Sequence, residues 1–212
     1  MQITPSGQAC GATVTGVDLR QPLSADLVGA IRAAWLEHHV LAFPDQDLTD
    51  ADLERFTLHF GGFGDDPFIA PVPGRKHVIA VERLADETSP LFAENWHSDW
   101  TFMPEPPIGT CLYSLVIPPV GGDTGFTNQQ KALAQMPAAL RARLEGRIAL
   151  HSAGAAYAPD GMYGEKDRAA GRSMAIRFSE DARDVYGHPF IGRHPESGRD
   201  TLLGCLGYII GV

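Results

Sequence analysis

Two proline-rich breaks limit what the middle of this chain can fold into. Met103-Pro104-Glu105-Pro106-Pro107 and Pro118-Pro119-Val120-Gly121-Gly122 exclude regular hydrogen-bonded structure, because proline has no amide proton to give and drives the residue before it out of the helical region. The segment they bracket, residues 108–117, is almost continuously apolar and reads as a strand. The same punctuation recurs throughout, with 23 glycines and 16 prolines, so many turns and a bias towards sheet are expected in place of long helices.

At 212 residues the chain is long enough for a real hydrophobic core, and residues 1–212 are read as a single domain. A formal net charge of -9 argues against a nucleic-acid binder, which neutralises phosphates with clustered Lys and Arg. Arg141, Arg143 and Arg147 come nearest to a cluster, but their spacing suits the solvated side of a short helix. Cys10, Cys111 and Cys205 are odd in number, far apart and without a C-x-x-C pair, so they read as buried thiols and not as a disulfide framework or zinc knuckle. The start of the chain lacks a basic stretch followed by an apolar one, and no apolar run reaches the roughly 20 residues of a membrane span. The expectation is a cytoplasmic protein with neither nucleic acid nor membrane as partner.

Residues 12–19 alternate as a strand with an exposed threonine face. Ser24 is the expected N-cap of a helix on which Leu27, Val28, Ile31, Ala34 and Trp35 share a face, with His38 and His39 in its last turn. Residues 40–43 make a short strand stopped by Pro44, and Thr49-Asp50-Ala51-Asp52 opens a second helix as a capping box. Further helices are expected over 128–136 and 137–146, and strands over 77–81, 147–152, 185–193 and 201–206, the last two joined by a turn at Pro195-Glu196-Ser197-Gly198. Residues 63–74 and 154–172 show no period and are expected as loops, the second as a mobile lid. The apolar run 202–212 is unusual for a terminus and implies either its burial or a chain that continues.

The chemistry concentrates in Asn95-Trp96-His97-Ser98-Asp99-Trp100-Thr101-Phe102. Its aromatic and β-branched composition is that of a strand, on which His97 and Asp99 would project together while Trp96, Ser98 and Trp100 pack on the other face. An imidazole and a carboxylate are two of the three ligands of non-haem Fe(II) oxygenases, which leave adjacent positions open for a co-substrate and oxygen. A histidine hydrogen-bonded to a nearby carboxylate is equally a routine structural arrangement, so the tripeptide leaves both readings open. No phosphate loop, H-E-x-x-H zinc helix, G-x-S-x-G elbow or Rossmann fingerprint is present.

Taken with Pro106-Pro107-Ile108-Gly109 and Gly121-Gly122-Asp123-Thr124, the His97 segment resembles the taurine dioxygenase and chlorophenoxyacetate dioxygenase family of Fe(II)/2-oxoglutarate oxygenases. Gly16-Val17-Asp18-Leu19, His39-Val40-Leu41-Ala42-Phe43 and His194-Pro195-Glu196-Ser197-Gly198-Arg199 extend the resemblance over nearly the whole chain. It implies a mainly β fold with flanking helices, the double-stranded β-helix or distorted jelly roll, cupin-like in form. It implies His97 and Asp99 as catalytic Fe(II) ligands, Thr124 as a contact to the 2-oxoglutarate co-substrate, and Asn95 as a contact to substrate. The reaction so implied oxidises a small organic molecule, anionic ones among the candidates, with O2 while 2-oxoglutarate becomes succinate and CO2.

The family's second iron histidine and its 2-oxoglutarate arginine belong well beyond the His194–Arg199 type of turn. His151, His188 and His194 fall in segments that suit structural roles, and Arg193 and Arg199 do not match the family position. The expectation is therefore a domain that is incomplete at its C-terminus and continues beyond Val212, with homo-oligomerisation left open. A catalytically silent jelly-roll binding protein with a partial metal site is the alternative, and a zinc or manganese hydrolase on a cupin-like barrel ranks last.

Overall fold

The computed structural model describes residues 1–204 and 207–212. Its backbone gathers into two compact units, one of residues 1–62, 110–137 and 193–201 and one of residues 63–109, 138–192 and 202–212.

The first unit opens with β1 (Gln2–Pro5) antiparallel to β2 (Ala12–Thr15), and β2 runs parallel to the short β3 (Leu41–Ala42). A parallel step needs a crossover, which α1 (Ala25–His38) supplies. Ser24 caps α1 by accepting the Leu27 N–H, and His39 ends it in a left-handed conformation with φ 66°. The alternation expected from the sequence is present in β2, where Ala12 and Val14 are buried and Thr13 and Thr15 exposed. Helix α2 (Asp50–Leu58) begins with the expected capping box, the Thr49 hydroxyl accepting the Asp52 N–H while the Asp52 carboxylate accepts the Thr49 N–H. Leu19, Ile31 and Phe56 form the core here, with Trp35, Phe43 and Phe60 joined edge to face around it. Helix α3 (Gln129–Ala134) follows its cap Asn128. In the turn at residues 193–201, His194 N–H donates to the Arg199 carbonyl and its Nδ1 accepts the N–H groups of Glu196 and Ser197.

Residues 110–117, with the rest of the expected 108–117 strand, carry no ladder. Leu115, Val116, Ile117 and Val120 are 67–89% exposed, and Gly121 and Gly122, with φ of 77° and 74°, make the turn that follows. An apolar run of this length forms a strand only where another strand pairs with it, and none of the described residues does. Of the three thiols read as buried, Cys10 is half-buried and Cys111 exposed; Cys205 lies outside the described residues, as do positions 205 and 206 of the expected 201–206 strand.

The second unit holds α4 (Ala138–Leu144) and a sheet ordered β5-β4-β8, all antiparallel, from Tyr186–Pro189, Ile148–His151 and Ile209–Gly211. The expected strand 185–193 is broken at Phe190, and its second piece, β6 (Ile191–Arg193), ladders with β7 (Asp200–Leu202). The run 202–212 thus ends in an edge strand, with Ile210 and Val212 exposed. Residues 77–81 form only an isolated bridge, Ile79 to Pro71.

Neither aperiodic segment is a free loop. Within 154–172, α5 (Gly154–Tyr157) and α6 (Glu165–Ala169) bring Tyr157, Ala158, Tyr163 and Asp167 into the interior, each no more than 6% exposed. The Arg172 guanidinium is buried against Asp167 and Glu87 and lies over the Tyr163 ring. This pins the segment, so the mobile-lid expectation is corrected. Residues 63–74 are anchored likewise, Phe68 and Ile69 being 5% exposed, with backbone bonds from Ala70 to Ala175 and from Arg177 to Phe68. Segments held by tertiary burial need no internal period, which is why the sequence pattern misses them.

Thr49→Ala removes the cap of α2 and is expected to lower unfolding free energy by about 1 kcal/mol; urea denaturation of the variant beside the parent measures it, and an unchanged midpoint contradicts the capping box.

Candidate active site

The site residues lie where strand β8 delivers the chain to the segment 95–103. Ser152, just after β4, donates its N–H to the Tyr208 carbonyl, and Gly207 donates to the Trp96 carbonyl at 3.0 Å. Gly207 has to be small, since a Cβ there would sit 2.7 Å from the His97 Cβ and 3.0 Å from the Trp96 oxygen. The sheet thereby fixes the backbone that carries His97.

That backbone is a series of turns and not the expected strand. Trp100 sits at φ 50°, a left-handed conformation uncommon for a large side chain. The Met103 N–H closes back on the Trp100 carbonyl at 2.8 Å, and the buried Thr101 hydroxyl points at the Ser98 carbonyl. The supposed packing face is divided: Trp96 is 54% exposed, while Trp100 packs on the core. His97 and Asp99 nevertheless come together, Nε2 lying 3.2 Å from Asp99 Oδ1. Turning the chain between them achieves what alternation along a strand was expected to do.

The His97 ring is oriented from its other side, Nδ1 lying 2.8 Å from the Asn95 carbonyl. With the proton on Nδ1 donated there, the Nε2 lone pair faces the carboxylate. Such a pair is held together by a proton or by a cation in its place. The Asp99 carboxylate beside it lifts the His97 imidazole above its usual pKa, against the opposing pull of burial. The donor set therefore fits a divalent cation from two directions. Among the described residues no group of three or more His, Cys, Asp or Glu side chains is placed to hold a metal.

The wall beside His97 is aromatic. Tyr208 stands edge-on to the imidazole at 5.8 Å and to Phe102 at 4.7 Å. Phe68 stacks on Tyr157 at 4.8 Å, and the hydroxyls of Tyr157 and Tyr208 are hydrogen bonded to each other. Burial pushes both phenols well above the usual tyrosine range. Burial likewise raises the Asp66 carboxyl, opposed by the N–H groups of Phe68 and Ile69 and by the Trp100 side chain, all donating to it. Sequence reasoning passed over Asp66, Tyr157 and Tyr208. The turn-initiating dipeptide Asp66-Pro67 was the one local signal for the first of them.

Asn95 contributes its carbonyl to His97, and its side chain is exposed. Thr124 belongs to the first unit, exposed in irregular chain. His188 Nε2 lies 3.0 Å from the Met103 carbonyl, and His194 caps its own turn, in keeping with structural roles for both. His151 is fully buried, its ring 5.2 Å from that of His188, with neither nitrogen hydrogen bonded among the described residues. A concavity of about 250 Å³ in the second unit, lined by Phe68, Phe102, Arg177 and Asp184 among others, does not include His97 or Asp99.

A profile of the taurine catabolism dioxygenase TauD, TfdA family matches residues 2–208. The chain belongs to this family, and with it to the Fe(II)- and 2-oxoglutarate-dependent oxygenases. It is 35% identical to the (S)-phenoxypropionate/alpha-ketoglutarate-dioxygenase of Delftia acidovorans, over 96% of this chain and 70% of that protein. It is 30% identical to the alpha-ketoglutarate-dependent sulfate ester dioxygenase of Pseudomonas putida, over 99% of this chain and 67% of the relative. The crystal structure of a taurine dioxygenase from Burkholderia xenovorans superposes with a TM-score of 0.65 at 29% identity, covering 95% of this chain and 61% of that one. The chain thus spans about two thirds of the length of such relatives, and over that span it shares the fold of the taurine dioxygenase structure. No helix among the described residues is long and apolar enough to cross a membrane.

If the aromatic wall is as dry as its geometry indicates, absorbance at 295 nm during alkaline titration should be the same for the parent and for Tyr157→Phe up to about pH 11, where an ordinary tyrosine is mostly ionised. A variant curve lower by one tyrosine contradicts it.

Proposed function

We propose that this chain carries the iron-binding part of an Fe(II)- and 2-oxoglutarate-dependent dioxygenase that hydroxylates a small anionic organic substrate, releasing succinate and CO2. The observation that carries this reading is the paired His97 Nε2 and Asp99 Oδ1, 3.2 Å apart with the imidazole oriented by Asn95, inside a family match that runs from residue 2 to 208. His97 and Asp99 are the proposed metal ligands and Thr124 the proposed hydroxyl contact to 2-oxoglutarate. Asn95 is the proposed substrate contact.

Bound iron would supply the activation of O2 that protein side chains cannot perform. The chain's own share is to present Nε2 and the carboxylate together, to hold the imidazole in one tautomer through the Asn95 carbonyl, and to keep water from one side with Tyr208, Phe102 and Tyr157. The anionic substrate class is supported by the relatives, one named for a phenoxypropionate and one for a sulfate ester.

Residues 1–212 are read as one oxygenase-type domain that continues beyond Val212 and there gains the second histidine, the arginine for 2-oxoglutarate and the strands that complete a double-stranded β-helix. The greater length of the relatives and the exposed Leu115, Val116, Ile117 and Val120 support this, since a monomer rarely leaves so apolar a run in water. A cytoplasmic location goes with the thiols of Cys10 and Cys111, which are unpaired.

The test is Fe(II)-dependent succinate release from 2-oxoglutarate by the full-length protein, with an aryloxyalkanoate and an alkyl sulfate as first substrates. His97→Ala and Asp99→Ala should each lose more than about 100-fold, because removing a ligand costs more than removing its supporting partner. Activity retained in both variants would sink the ligand assignment. Metal binding without turnover on any substrate would favour the silent binding protein.

A further inference from the structure

Asp99 is followed by a residue that holds a conformation it would not choose unaided. A left-handed φ of 50° at Trp100 brings its Cβ against backbone, so surrounding structure has to impose it. Two contacts to the Trp100 side chain do so, both from the segment 63–69. The backbone at Gly64 lies against the indole so closely that a Cβ there would be 2.4 Å from Cζ3 and 3.1 Å from Cη2. The Asp66 carboxylate accepts a hydrogen bond from the Trp100 side chain, whose only donor is the indole N–H.

Asp66 is itself fixed. Its Oδ1 accepts the N–H groups of Phe68 and Ile69, both at 2.8 Å. Those two residues are 5% exposed, and the Phe68 carbonyl accepts the Arg177 N–H while Ile69 is bridged to Ile176. A carboxylate whose oxygens are engaged by three N–H donors is poorly placed to ligate a metal, but it suits the task of holding a neighbour. The rigid path runs from the core through Phe68 and Ile69 to Asp66, from Asp66 to the indole, and from the indole to the turn that sets Asp99 3.2 Å from His97.

We propose that Asp66 is a positioning residue for the metal pair, acting through its hydrogen bond to Trp100, with Gly64 giving the indole the room to reach it. The proposal rests on the reading of His97 and Asp99 as metal ligands. Outer partners that orient a metal ligand are commonly worth 10- to 100-fold in affinity; here the orientation passes through one intervening residue, so the lower end applies.

The experiment measures Mn(II) affinity of the full-length protein by the electron paramagnetic resonance of the free ion, beside the thermal midpoint without metal. Asp66→Ala should weaken Mn(II) binding about tenfold. Asp66→Asn keeps an oxygen for the Phe68 and Ile69 N–H groups but sets an NH2 donor against the indole N–H, so it should weaken Mn(II) binding as Asp66→Ala does while leaving the thermal midpoint nearer that of the parent. Trp100→Phe leaves the Asp66 backbone bonds intact, so it reports on the indole bond even where Asp66→Ala folds poorly, and it should match Asp66→Ala. The double variant should be no weaker than either single one, as expected for two ends of one interaction. Parent-like affinity in Trp100→Phe or in Asp66→Asn overturns the proposal while leaving the ligand assignment standing. Equal Mn(II) affinity in the parent and His97→Ala overturns the ligand assignment and the proposal with it.

Discussion

Aromatic packing in the second unit bears the geometry around His97. Phe68 stacks on Tyr157, Tyr157 meets Tyr163 and Phe102, and Phe102 meets Tyr208, which stands against the imidazole. Rings of this size bury large apolar areas and pack in few relative orientations. The cluster draws on residues 63–74, 95–103 and 154–172 and on Tyr208 just before β8, segments that share no ladder with one another among the described residues. Side-chain packing, more than sheet register, therefore fixes where the site lies.

Several polar groups at the edge of this cluster have defined partners. Tyr208 and Tyr157 satisfy each other, Asp66 gathers three N–H donors, and Arg172 stands between Asp167 and Glu87. Groups buried in this way gain little net stability but lose a great deal if one partner is removed. The neighbourhood of His97 and Asp99 is accordingly intolerant of small errors in placement, which suits the metal role proposed for the pair.

How much of this could be read in the sequence depended on how local the cause was. The caps at Ser24 and Thr49 and the turn at His194 depend on neighbours within a few residues, and all were legible, while Asn128, read as the first residue of its helix, is its cap. His97 and Asp99 were legible as a pair through residue type and family pattern. The strand expected for residues 95–102 was wrong because the conformation of Trp100 answers to Gly64 and Asp66, more than thirty positions away. The same holds for 154–172, whose lack of period hid Tyr157 and Tyr163 in the core. The strand expected for 108–117 shows the reverse case, a segment with the right composition and no neighbour to pair with.

The close approach of Gly64 to Trp100 also bears on how such a protein can change over time. An added methyl at position 64 collides with the indole, and an indole at position 100 demands an open space at position 64. Neither site can drift alone, so a lineage that enlarges residue 64 must first shrink residue 100 and with it surrender the anchor to Asp66. In an alignment of relatives the two positions should therefore covary, and a glycine at 64 should mark the members that keep a tryptophan after the aspartate.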